Sequence, residues 1–212
     1  MRAPGRPLPL PGGRDRGAAL YEVLIALVLM GLVSLAVFAA FKAGDTAWAT
    51  SVQFVAEQQN ARMLLNTVSR AVRMVGYQYT GGNPPVIAGQ ASSLAFYADI
   101  DGDGTIECYR YYLSGTAVYE AVVQGAACAS SILTAAGAPL TAANEAQSLA
   151  VNNLTFTYYS AADLGGALLS APLSTGNAYL ARRIDVSVTV RGVKSAGPPF
   201  TIATQAVFRV GR

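Results

Sequence analysis

The stretch "RDRGAALYEVLIALVLMGLVSLAVFAAF", residues 14–41, decides how the rest of the chain is read. From Ala18 to Phe41 it is apolar apart from one acid, Glu22. These 24 residues make about 36 Å of helix at ~1.5 Å per residue, more than the ~30 Å of a bilayer's hydrocarbon core. The segment can therefore span a membrane. A carboxylate at that depth costs about 3 kcal/mol on insertion scales, so it marks a function and implies a partner. A secretory signal peptide is the rival reading, with "VSLAVFAA" imitating a small-residue cleavage site around Ala36 to Ala40, but its apolar core would be shorter.

The 212-residue chain is 52% hydrophobic and only 13% charged, below the ~25% charge usual for soluble domains. The net charge of +3 is concentrated in residues 1–17, where Arg2, Arg6, Arg14 and Arg16 face Asp15. The remainder is balanced, with 11 basic and 11 acidic residues (15 − 4 and 12 − 1). A basic leader before an apolar run is a topogenic signal that stays on the cytoplasmic side, so the high pI does not point to nucleic acid, and none is expected as a partner. Arg62, Arg70 and Arg73 form at most a local strip, read most simply as a solvated helix face. The chain contains no histidine, which removes Ser-His-Asp and Cys-His nucleophiles and His-containing zinc sites. With no nucleophile-elbow or phosphate-loop pattern either, no enzymatic activity is expected. Cys108 and Cys128 both follow the apolar run and would reach an oxidising compartment, where an even pair reads as a disulfide; two free buried thiols are the alternative.

Beyond the membrane-length segment the periodicity changes without a break. Ala61, Leu64, Leu65, Val68, Ala71, Val72 and Val75 recur at helical spacing, with Arg62, Asn66, Ser69, Arg70 and Arg73 opposite. Trp48, Val52, Phe54 and Val55 carry an apolar surface back toward the membrane, and Gly76 followed by "TGGNPP" closes the helix. The spacing predicts one helix of about 55 residues, half in lipid and half packed on a domain. After Pro85, "SLAFYADI" and "IECYRYYL" read as a hairpin around "DGDGT". "TAVYEAVV", "NNLTFTYY", "RIDVSVTV" and "FTIATQAVFRV" read as further strands, Ile184, Val186, Val188 and Val190 lining one sheet face. Segments 125–150 and 161–178 read as long surface loops. The fold class is α+β, a long N-terminal helix packed on an antiparallel sheet. The expected organisation is a basic leader 1–17, a membrane-spanning half of the helix 18–43, an amphipathic half 44–77 and a β-rich head 78–212.

The run "G-AALYE-VLIALVLMGLVSLAVFA" resembles the class III signal of type IV prepilins: a short basic leader ending in glycine, an apolar helix, and glutamate as the fifth mature residue. The resemblance implies cleavage between Gly17 and Ala18 by a membrane aspartyl prepilin peptidase, N-methylation of Ala18, and pairing of Glu22 with a neighbour's Ala18 amine in a filament. "QQNARMLLNTVSRAVRMVGYQY" resembles the helix end of PilW-type minor pilins at Asn60, Arg62, Arg70, Arg73, Gly76 and Tyr77. Ala39 stands where major pilins commonly carry a kinking proline, which argues against a major subunit. The resemblance implies a minor pilin of the priming or tip complex of a type IV pilus, held in inner-membrane lipid with a periplasmic head and later incorporated among other pilin subunits. A pseudopilin of type II secretion, like its J component, is the near alternative.

"DIDGDGTIE" carries Asp99, Asp101 and Asp103 at calcium-loop spacing, followed by Gly104. Arg110 occupies the position of an EF-hand's bidentate glutamate. Two readings stay open: an Asp-Gly turn that needs no metal, and a calcium-stabilised turn, calcium being the one cofactor the sequence admits. The latter would suit a calcium-dependent adhesive head displayed on a filament.

Overall fold

The computed structural model describes residues 15–125, 127–140, 149–163, 165–192 and 198–208. Helix α1 (Asp15–Arg73) is followed by β1 (Val86–Gly89), β2 (Ser93–Ala98), β3 (Glu107–Ser114), β4 (Ala117–Gln124), α2 (Cys128–Ser131), β5 (Ala138–Pro139), β6 (Leu149–Tyr159), β7 (Leu168–Leu169), α3 (Thr175–Leu180), β8 (Arg183–Gly192) and β9 (Phe200–Val207). The chain divides into two compact units, residues 1–50 and 51–212.

In the first unit every residue from Leu20 to Thr50 is exposed, the large apolar side chains included. The helix is long and apolar enough to cross a membrane, with a mean hydropathy of 2.8 over its best window. Its serine and threonine hydroxyls are satisfied within the helix: Ser34 donates to the Met30 carbonyl at 2.8 Å, Thr46 to Lys42 at 2.9 Å and Thr50 to Thr46 at 2.8 Å. Such internal bonding is what a polar group needs where no water is available.

In the second unit residues 51–73 of α1 bury one face. Ala61, Leu64, Leu65, Val68, Ala71, Val72 and Val75 are all buried, while Arg62, Asn66, Arg70 and Arg73 are exposed. Ser69, expected on the polar face, is buried instead; it lies at the boundary between faces and its hydroxyl turns back to the Asn66 carbonyl at 3.4 Å. The helix proper ends at Arg73, and a turn carries the chain to Gly76, whose positive φ of 74° favours glycine. A Cβ there would also press on Pro85 at 2.9 Å.

The strands form two antiparallel sheets where one was expected. The first has the order β1-β2-β3-β4-β5, the second β7-β6-β8-β9. Strand periodicity reports which face is apolar but not which strand pairs with which, so the split is not written in it. One core unites the helix face with Leu94, Phe96 and Tyr111 of the first sheet and Leu154, Phe156, Tyr158, Ile184, Val186, Val188 and Val190 of the second. Backbone bonds from Val151 N to Thr116 O (2.9 Å) and from Phe156 N to Ala91 O (2.8 Å) tie the sheets together, as does the Tyr158 hydroxyl on the Gln90 carbonyl (2.8 Å).

A smaller core of Ala95, Cys108, Ala121, Cys128 and Ile132 covers the other face of the first sheet. Here the expected long loops prove partly structured. Segment 125–150 contains α2 and β5, and Ile132 is fully buried; segment 161–178 contains β7 and the start of α3, capped by the Ser174 hydroxyl, which accepts from Asn177 N at 3.3 Å. Residues 141–148 lie outside the described residues.

Candidate functional site

Two places hold the residues singled out from the sequence. The first is the start of α1. Gly17 and Ala18 fall in its first residues, and the preceding leader, 1–14, lies outside the described residues. Glu22 stands one turn further along, exposed among Leu20, Tyr21, Val23 and Leu24, and no other charge follows until Lys42. Among the described residues its carboxylate has no hydrogen bond or ion pair. The helix therefore offers one unneutralised acid on a surface otherwise fit for hydrocarbon.

The second place is the loop between β2 and β3. Pairing of Ala98 with Glu107 closes residues 99–106 into a compact turn. Asp99 is fully buried and organises the turn: Oδ1 accepts from Gly102 N at 2.7 Å and Oδ2 from Gly104 N at 2.9 Å. Both glycines have positive φ, 77° and 84°, so the path demands a residue without a Cβ penalty. Asp101 accepts from Asp103 N at 3.2 Å and Asp103 from Thr105 N at 2.6 Å, and both side chains remain exposed.

Carboxylate oxygens of Asp99, Asp101 and Glu107 lie within 4.8 Å of one another. Asp103, anticipated as the third acid, is not in that group. Glu107 takes its place; it is only 1% exposed, and its bonds from Tyr109 Oη and Gln124 Nε2 are long, 3.5 Å each. Burial raises its pKa above the usual carboxylate range, and the neighbouring Asp101, Asp103 and Asp99 push it further. Burial, with Glu107 and other acids nearby, also drives the Tyr109 phenol up to about 12. Glu107 is the ninth residue of a loop that begins at Asp99, a position that commonly ligates calcium directly or through water, and this spacing was the signal that could have found it. Arg110 is turned elsewhere: its Nε donates to Ser93 Oγ at 3.3 Å, another nitrogen donates to the Leu133 carbonyl, and the guanidinium lies 4.4 Å from the Tyr112 ring.

Beside the loop opens a cleft of about 430 Å³ lined by Tyr79, Asn83, Tyr97 and Thr105, where the Tyr79 and Tyr97 rings stack at 4.4 Å. Cys108 and Cys128 are bonded to each other, with Cα atoms 5.7 Å apart, and fasten α2 to β3.

No family model matches the chain, and no curated protein does. Among solved structures, a type IV-like pilin from Thermus thermophilus is similar with a TM-score of 0.47 and 12% identity, over 71% of this chain and 94% of that one.

Proposed function

We propose that this chain is a minor subunit of a type IV pilus, made as a prepilin and assembled through its N-terminal helix. A membrane peptidase cuts after Gly17, the Ala18 amine is methylated, and the apolar helix holds the protein in the inner membrane until neighbouring pilins take the place of lipid. The observation that carries the reading is Glu22, a solitary acid with no partner among the described residues on a fully exposed apolar helix. In a filament of packed helices its carboxylate pairs with a neighbour's Ala18 ammonium, and the two charges cancel in a low-dielectric bundle. The role is structural rather than catalytic. A secretion pseudopilin would use the same helix in the same way, and the two are separated by deleting the gene and measuring pilus-dependent motility against protein export. N-terminal sequencing of membrane-extracted protein tests the core of the proposal: the expected mature chain begins at Ala18, and any other start overturns it.

A second reading is favoured by the carboxylates of Asp99, Asp101 and Glu107, whose separation suits a hard cation with oxygen ligands. Under it, calcium neutralises the crowded acids and stiffens the turn beside the tyrosine-lined cleft. Calorimetric titration of the purified protein with calcium, repeated on Asp99→Asn, checks it; heat of binding that is absent in wild type, or unchanged in the variant, rules the site out.

A further inference from the structure

Assembly through the N-terminal helix leaves one feature of the second unit unused: among its described residues, three of the four exposed arginines, all but Arg191 on β8, lie on one helix face. Arg62, Arg70 and Arg73 are exposed on one face of α1, and none has an ion pair or hydrogen bond among the described residues. Neutral Asn66 and Thr67 lie between them, equally exposed. Arg62 and Arg73 are about 16 Å apart along the axis, and Arg70 and Arg73, three residues apart, are neighbours on the helix surface. Among the described residues of this unit the exposed acids are Asp101, Asp103 and Asp163. Asp101 and Asp103 share one turn, and each accepts only a backbone amide of that turn. The turn is slim: an added Cβ at Gly102 or Gly104 would meet nothing within 4 Å, so another surface can approach closely.

We propose that the Arg62–Arg70–Arg73 strip of one copy docks the Asp101/Asp103 turn of a second copy. Two carboxylates two residues apart on an exposed turn match two guanidiniums one helical turn apart, and Arg62 extends the attractive field. Guanidinium–carboxylate pairs are the strongest of the surface ion pairs because of their bidentate geometry. The contact is heterologous, one patch meeting a different patch, and so leaves a free strip and a free turn at the two ends for further copies. A membrane surface is the competing occupant for an arginine strip, but it offers no counterpart to the exposed Asp101/Asp103 turn. The proposal concerns only the second unit and does not require that the chain enter a pilus.

The test is a charge swap in full-length protein kept in detergent with EDTA, so that no divalent cation masks the turn. Self-association is followed by sedimentation at about 0.01 M salt, where the Debye length is ~30 Å, and at about 1 M, where it is ~3 Å. One variant carries Arg70→Glu and Arg73→Glu, the other Asp101→Lys and Asp103→Lys. Wild type is expected to associate at low salt and not at high salt. Each variant alone should associate at least about tenfold more weakly, and an equimolar mixture should recover association, because each supplies the charge the other lacks. Variants that self-associate like wild type, or a mixture no better than its parts, overturn the proposal. Binding of wild type to anionic vesicles that disappears in the arginine variant, with no self-association at low salt, would assign the strip to lipid instead. Circular dichroism of each variant establishes that the fold is intact.

Discussion

The two stretches of α1 are one helix written for two solvents. From Leu20 to Phe41 it is apolar nearly all round and exposed throughout; from Ala61 to Arg73 the apolar residues other than Met63 fall on one stripe, and that stripe is buried. An all-round apolar helix is stable only in lipid or a helix bundle, whereas a one-sided helix requires only a sheet to lie on. The contrast also fixes what a charge means. Arg62 on the one-sided stretch is hydrated at no cost, while Glu22 on the other must be paired wherever water is excluded.

The sharpest way to break this contrast is at Glu22. If the proposed pairing holds, Glu22→Ala is expected to be cleaved normally yet to vanish from sheared filaments, because a neighbour's buried ammonium would lose its partner at a cost of roughly 3–5 kcal/mol. Glu22→Gln, which keeps the shape without the charge, should fail in the same way. Wild-type incorporation of both variants, measured by immunoblot of filament fractions, would mean that the acid is not an assembly partner.

Next in size is a matched pair of truncations. Leu65→Ala, in the buried stripe, should destabilise the second unit by about 2–5 kcal/mol. Leu27→Ala, in the exposed stretch, should leave that unit's denaturation midpoint within about 0.5 kcal/mol of wild type. Equal effects would erase the distinction between the two stretches. Replacing Cys108 and Cys128 by serine should cost the second unit about 3 kcal/mol, given a sequence separation of 20, and should leave membrane insertion untouched.

The smallest effect concerns Glu107, whose folded pKa lies above the ordinary 4.5. The folded state then holds this proton more tightly than the unfolded chain does. Its contribution to stability is therefore complete below the ordinary value and is lost as pH rises through the folded one. Urea midpoints in EDTA should carry this downward component with rising pH in wild type, and Glu107→Gln should remove it. Saturating calcium should cancel the component in wild type, since a bound cation favours the ionised form.

The one-sided stretch was legible because burial there follows the helical period. Ala61 to Val75 could be named from spacing alone, and so could the alternating Ile184 to Val190. The division into two sheets was not legible, because partners such as Val151 and Val190 are set by pairing across 39 positions (190 − 151) and not by local pattern. Ile132 was passed over because its Ala/Ser-rich surroundings show no period; a disulfide and a sheet face bury it. At the candidate site the three aspartates drew attention by their spacing. Glu107 is not marked by the calcium-loop pattern, whose strongest acidic position, the twelfth, is Arg110, while the ninth is a weaker signal. Only the register of Ala98 with Glu107 makes plain why that residue faces the turn.

The Cys108–Cys128 bond has a further consequence for the order of events in folding. The segment it closes contains almost the whole β3–β4 hairpin, paired from Glu107–Gln124 to Ser114–Ala117, so the bond turns a local hairpin into a covalent ring. The strand pairs inside this ring lie within about twenty residues of each other, the low-contact-order kind that form fastest. In the second sheet, by contrast, β6 pairs with β8 across 24 to 43 positions (183 − 159 and 192 − 149), and β9 joins that sheet only through β8. A covalently closed hairpin can thus form before the core between the two sheets is complete, because the β6–β8 pairing that builds the other side of that core needs contacts of longer range.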